Sequence, residues 1–521
     1  MLNPVNSADQ VIAARLVELL DPSTPWNRSL WSINTLLTLR EILEAVEASR
    51  SGVLGSDSLK RLSSLAIRLA GKDPGVLAAE RQVLGEVLQN PPRHDGLAYH
   101  TVAQLLDRIA PDYLIRWAAA LNETPQPQAE RTARSIAGYL LDRGFSEEFL
   151  HGWFTKWLYQ KETRLTLGEL LQQAQTDLIQ RPLLDFEVLI AFKNAPRSAS
   201  GFPKGWLNSK QLSHWLRANK FDVTDVRASG GISLKIQARD ANAAVQLASD
   251  KIDRFTARAS VSTSVPLQPW PNIWVRGERA IFPFGPRPRG VKVKALYRED
   301  QLFSESNSSV DAAIELLAHL EGSSPTAAIA GGWAAIEALL AEPNDRAGAA
   351  DSLASIVACS FPRAELTALS YTAEKTCPDL QSKLSECREN RERAIVIAQS
   401  IIDGHTLNLR RHSDKAAYFR MEKLLRAPSK VLSDIQAHVA DAFHRLYRQR
   451  NLILHGGKTN SVVLEGSLRT SAKLAGAGMD RITHAWYVKG IGPIELAARS
   501  KSAIPLVPQD NPLACVNLLG M

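Results

Sequence analysis

Cysteine is scarce in this 521-residue chain, and the four present, Cys359, Cys377, Cys387 and Cys515, include no closely spaced pair. A zinc knuckle or a redox motif needs such a pair and a disulfide scaffold needs more of them, so these classes are excluded. Long apolar runs are missing too. The longest, Ala327 to Ala341, holds two glycines and Glu337 and falls short of the roughly 20 residues a spanning helix requires, so no membrane role is expected. The opening MLNPVNSADQ has neither the basic nor the apolar segment of a secretory leader, which makes a reducing compartment, the cytoplasm, the expected location. No GxxxxGK[ST], strand-borne GxGxxG, HExxH or GxSxG occurs. Kinase, dehydrogenase, zinc-hydrolase and serine-hydrolase readings therefore lack support, and neither a metal nor a cofactor is expected.

What is present is an ordinary folding composition, 45% hydrophobic and 22% charged, well away from the signature of disorder. At about 150 residues per domain the length suggests roughly three domains. Lys+Arg 62 against Asp+Glu 54 leaves +8, a mild bias compatible with a polyanionic partner and proof of none.

Periodicity supports a mainly α fold in three parts. Residues 1–180 read as a helical domain: LWSINTLLTLREILEAVEAS places Leu30, Ile33, Leu36, Leu39 and Leu43 at helical spacing, and several similar segments follow. Gly144 and Ser146 read as a helix stop and a new cap, and Pro125-Gln126-Pro127 as a turn. Residues 181–303 read as a small α+β domain of β-α-β-α-β order, with ARASVSTSVPL and later GVKVKALYR as strands; a ferredoxin-like arrangement is one that such an order allows. Its FPFGPRPRG loop and neighbours concentrate Arg276, Arg279, Arg287, Arg289, Lys292, Lys294 and Arg298 around a single acid, Glu278. Arg287, Arg289, Lys292 and Lys294 are the candidate RNA-backbone contacts; the competing reading is a solvated strand face. After the polar linker SESNSSVDAA, residues 304–521 read as a helical bundle starting near Ser308.

The most informative segment is RQRNLILHGG, Arg448 to Gly457, ending a long helical pattern. Arg450, Asn451 and His455 with the following Gly-Gly resemble the Arg-polar-x-x-x-His signature of the HEPN superfamily, nearest its Apea-like branch of bacterial defence proteins. The upstream helix GGWAAIEALLA would supply that family's carboxylate as Glu337. The resemblance covers about Ser308 to Ser500. It implies a HEPN-like bundle, a homodimer, and a metal-independent endoribonuclease acting as a toxic effector in antiviral defence or stress, under a regulatory partner or a phage-derived trigger. Spacing alone is a loose criterion: Arg93 to His100 and Arg448 to His455 satisfy it as well. The Arg450-Asn451 adjacency, the apolar run behind it and Gly456-Gly457 are the more specific features.

These residue types suit the chemistry. Attack of a ribose 2′-hydroxyl on the adjacent phosphorus needs a proton moved and a growing negative charge met. Histidine can shuttle the proton, and arginine carries a permanent, forked positive charge. The products would be a 2′,3′-cyclic phosphate and a 5′-hydroxyl. One His and one Arg are sparse for such a reaction, which a two-fold dimer would remedy. On a straight helix, at about 100° per residue, Arg450 and His455 lie roughly 140° apart, so either the arginine curls round or the helix loosens toward Gly456. A carboxylate between Ile336 and Leu339 should be buried and in need of a partner, for which Arg450 is the candidate. Trp333 reads as core, and His405, His412, His438 and His444 as packing or exposed residues. The alternatives are a non-catalytic HEPN module that binds RNA or a nucleotide or drives dimerisation, and a nucleic-acid-binding regulator built on the basic middle domain.

Overall fold

A helix should follow the Leu30–Leu43 periodicity, but in the computed structural model it starts only at Thr35 and runs to Arg50. Asn34 supplies the reason: its side chain accepts from the Leu37 N–H at 3.0 Å, while residues 29–34 stay extended. The structure describes residues 7–123, 126–159, 165–197, 201–285, 287–304 and 307–520. Pro125 of the expected turn, Pro286 of the basic loop, and Glu305 and Ser306 of the linker lie outside them. The described residues are mainly helical, with one small antiparallel sheet. None of their helices is long and apolar enough to cross a membrane.

The cap at Ser146 precedes the Glu147–Tyr159 helix and accepts from the Phe149 N–H; Gly144 before it has a left-handed φ of 90°. Ser308 opens the Ser309–Gly322 helix in a reciprocal capping box with Asp311.

Five strands form the sheet: β1 (Leu184–Asn194), β2 (Trp206–Asn208), β3 (Gly230–Ala238), β4 (Gln268–Val275) and β5 (Phe282–Pro283), in the order β2-β3-β1-β4-β5. Central β1 is buried on both faces. Val188, Ile190 and Phe192 face the Ala241–Ser262 helix, whereas Leu189 and Ala191 face the Ser209–Ala218 helix. Every pairing is antiparallel, and the two helices cover opposite faces of the sheet, which departs from the ferredoxin-like expectation of both helices on one face.

Two expected strands are also corrected. The start of ARASVSTSVPL continues the Ala241–Ser262 helix, whose last turn buries Ala259. GVKVKALYR is an unpaired extended segment followed by a short helix, Ala295–Arg298. Its Val291 and Val293 pack on the C-terminal core. Side chains replace a strand partner there: Val291 N–H donates to Glu321 at 2.7 Å and Ala295 N–H to Asp480 at 2.7 Å.

The first and third regions interlock. Trp31 belongs to the C-terminal core and meets Phe361 edge-on at 5.5 Å, while Leu452 belongs to the N-terminal core. Buried charges cross the same seam. Arg28 donates to Glu365 at 2.6 Å and to Asp414 at 3.0 Å, and fully buried Glu365 also faces Arg420 at 3.3 Å.

Candidate functional site

The motif ends the Pro428–Leu454 helix, which starts on a first-turn proline and carries two buried stripes. Leu432, Val439, Phe443 and Leu446 enter the C-terminal core. On the other side Arg445 and Arg448 reach Glu41 of the N-terminal region at 3.2 and 2.7 Å, all three being at most 3% exposed. Burial raises the pKa of the Glu41 carboxyl, but Arg448 and Arg445 outweigh it and hold the group below the ordinary range. With both stripes committed, Arg450, Leu454 and His455 remain at the solvent edge.

Arg450 curls along the helix end. Its Nη1 lies 2.9 Å from His455 Nε2 and donates to Asn451 Oδ1 at 3.0 Å. The last turn also widens: Asn451 O accepts from His455 N–H at 2.9 Å and from Gly456 N–H at 3.2 Å. Arg450 and His455 are thus joined by both devices. Gly457, not Gly456, adopts the left-handed conformation, with φ 62°. Gly456 is needed for space, since a Cβ there would lie 2.7 Å from Leu452 O and 3.3 Å from a Val53 methyl. A guanidinium can only donate, so Nε2 is the accepting atom of this contact.

Glu337 lies on the Pro325–Leu340 helix, and its carboxylate stands 3.7 Å from the Arg450 guanidinium. Its side chain is 20% exposed, so the expectation of full burial is corrected. The helix buries the stripe through Ile329, Trp333, Ile336 and Leu340 and leaves Glu337 at its margin. Trp333 is buried, and its Nε1 also donates to Glu337 Oε2 at 2.7 Å. The sequence reading misses two groups at this site. Arg346, 64% exposed, approaches Glu337 Oε1 at 3.5 Å from the loop that follows, and Tyr447 packs on Trp333 at 4.9 Å. No periodicity signals a loop arginine; Tyr447 lies one helical turn before Arg450 and could have been found that way.

The structure places the remaining candidates elsewhere. Arg287 pairs with Glu147 and Glu148, and Arg289 donates to the carbonyls of Leu320 and Ser323 at 3.2 and 2.9 Å, so both fasten the middle region to its neighbours. Lys292 faces Glu321 at 3.4 Å. Lys294 is exposed and makes no ion pair among the described residues. Arg276 and Arg298 are paired with Glu187 and Asp480. The basic stretch is largely an internal clasp. Among the other histidines, His444 is buried against Asp351 at 3.1 Å and contacts Arg61, while His438 Nδ1 meets Asp434 O at 2.6 Å.

An imidazole and a guanidinium within hydrogen-bond distance, opening on one solvent-exposed edge, can move a proton and stabilise an oxyanion together. No family model, curated protein or solved structure matches the chain.

Proposed function

We propose that the chain is a metal-independent endoribonuclease of the HEPN type, an RNA-cleaving toxic effector in bacterial antiviral defence or stress. The contact between Arg450 Nη1 and His455 Nε2 at 2.9 Å carries the reading. It supports Arg450 as the stabiliser of the phosphorane charge and His455 as the proton carrier. Asn451 and Glu337 would orient the guanidinium, since both touch it. A single His-Arg set leaves the second proton transfer without a carrier, so a homodimer would bring a second set to the same RNA.

The test is incubation of the purified full chain with RNA in excess EDTA. Cyclic-phosphate and 5′-hydroxyl ends are expected, made by wild type and lost in His455→Ala. Activity that vanishes with EDTA and returns with magnesium would overturn the mechanism. Sedimentation of the full chain with and without RNA should show dimers.

A non-catalytic module that binds RNA or dimerises is the second reading. It is favoured by the engagement of Arg450 with three groups of its own chain, as in a helix end that is simply capped. RNA bound but never cut would select it.

A further inference from the structure

We propose that the middle region holds a nucleotide-binding site, distinct from the Arg450–His455 edge. A cavity of about 520 Å³ lies between the end of β1, the segment entering β2 and the last turns of the Ala241–Ser262 helix. That volume falls within the roughly 300–1,000 Å³ typical of small-molecule sites.

One wall is a ladder of rings. Trp206 lies between Phe192, at 5.6 Å and 18°, and Phe202, at 4.2 Å and 5°. The tryptophan can sit there only because residue 230 is glycine: a Cβ would fall 2.5 Å from Trp206 Cζ2. Phe255 also lines the cavity. Phe202, the outermost ring, is 38% exposed, so a flat apolar surface faces the opening.

Among the described residues that line the cavity, one is charged. The Arg197 guanidinium is 5.7 Å from the Phe202 ring, is exposed, and makes no ion pair among the described residues. Among the described residues no carboxylate lines the cavity, and Ser262 and Thr263 add hydroxyl-bearing residues. Flat aromatic walls select a planar ring by stacking, and one unpaired cation selects an anion beside it. A nucleobase carrying a phosphate meets both conditions. An aliphatic anion gains nothing from the stacked geometry, and a cationic ligand would be repelled by Arg197. The nucleotide could be free or an unpaired residue of an RNA strand; the chemistry is the same.

Equilibrium dialysis of the full chain against AMP, adenosine, ribose 5-phosphate and a six-residue oligoadenylate tests the site, with Phe202→Ala, Arg197→Ala and Arg197→Lys in parallel. Both side chains are exposed enough for the variants to fold, which thermal melts would verify. Phe202→Ala should weaken AMP and adenosine binding about 5- to 150-fold, the range for loss of one stacking ring. Arg197→Ala should weaken AMP and spare adenosine, Arg197→Lys should restore part of the loss, and ribose 5-phosphate should not bind. An oligomer that binds more tightly than AMP, with the same Phe202 dependence, identifies RNA as the source; an oligomer no tighter than AMP identifies a free nucleotide. Absence of AMP and oligomer binding at millimolar concentration, or binding indifferent to both alanine substitutions, overturns the site. His455→Ala should bind AMP as wild type does, which separates failure here from failure of the ribonuclease reading.

Discussion

Arg448 and Arg450 stand two residues apart on one helix, and both satisfy the loose Arg-to-His spacing that ends at His455. Their surroundings divide them. Arg448 is 3% exposed and spent on Glu41 at 2.7 Å, whereas Arg450 is 17% exposed, meets Glu337 only at 3.7 Å and leans on His455. A step of two residues turns the side chain by about 200°, from the seam between regions to the open edge. Spacing along the chain therefore cannot identify a reactive arginine; the face on which it emerges can. The first arginine binds the fold together, and the second is left with donors aimed at a histidine.

The sharpest way to break this contrast is His455→Ala. It should lower RNA cleavage by roughly 10² to 10⁴ while leaving thermal melts unchanged, because the imidazole is exposed. Wild-type cleavage by that variant would place any ribonuclease site elsewhere. Glu41→Ala should act in the opposite sense, costing about 3–5 kcal/mol of stability in denaturant titrations, because two buried arginines lose their shared carboxylate. An unchanged midpoint would mean that the pair does not hold the seam. Arg450→Ala should reduce cleavage about 10²- to 10³-fold and cost stability under about 1 kcal/mol, the reverse of the Glu41 pattern. A double-mutant cycle with Glu337→Gln and Arg450→Ala should give a coupling of about 0.5–1 kcal/mol, as suits a partly exposed pair at 3.7 Å; strict additivity would remove Glu337 from the site.

The smallest expected effect concerns two carboxylates with opposite shifts. Glu41 titrates below its ordinary range, so its stabilisation is present above its unfolded pKa and is lost as pH falls through the folded one. Asp250, on the helix over the sheet, is pushed up to about 7 by burial and then by Glu465. Asp253 and Arg289 face it as well. In its folded state Asp250 binds more protons than when unfolded, so stability falls as pH rises from about 4 toward 7. Melting temperatures at about pH 5 and about pH 7.5 should therefore converge in Asp250→Asn; an unaltered difference would assign the slope to other groups.

Much of the helical architecture was legible because periodicity and caps act locally. Asn34, Ser146 and Ser308 each open a helix by accepting a backbone N–H. The Gly290–Arg298 segment was misread for an instructive reason. Its alternation is real, Val291 and Val293 inward and Lys292 and Lys294 outward, but the partners of its backbone are the carboxylates of Glu321 and Asp480. A tertiary ladder of that kind leaves no trace in local pattern. At the candidate site, Arg450, His455 and Glu337 could be brought together from sequence by their resemblance. Arg346 could not, because a loop places it, and the role of Arg287 and Arg289 as clasps required knowing which acids lie opposite.

The packing of Leu452 and Val53 around Gly456 sets which part of the molecule governs the motif's fluctuations. Lys458 adds a contact with Glu44 at 2.8 Å. The amides of residues 455–458 bond back to the carbonyls of Asn451, Leu452 and Ile453, in the turn that these N-terminal contacts clamp. Local opening follows the weakest element that holds a segment in place. Amide exchange at His455 thus belongs with the N-terminal helices rather than with the bundle that carries the motif in sequence. The N-terminal region bears on how long the histidine stays beside its arginine, with no hydrogen bond or ion pair to either side chain among the described residues.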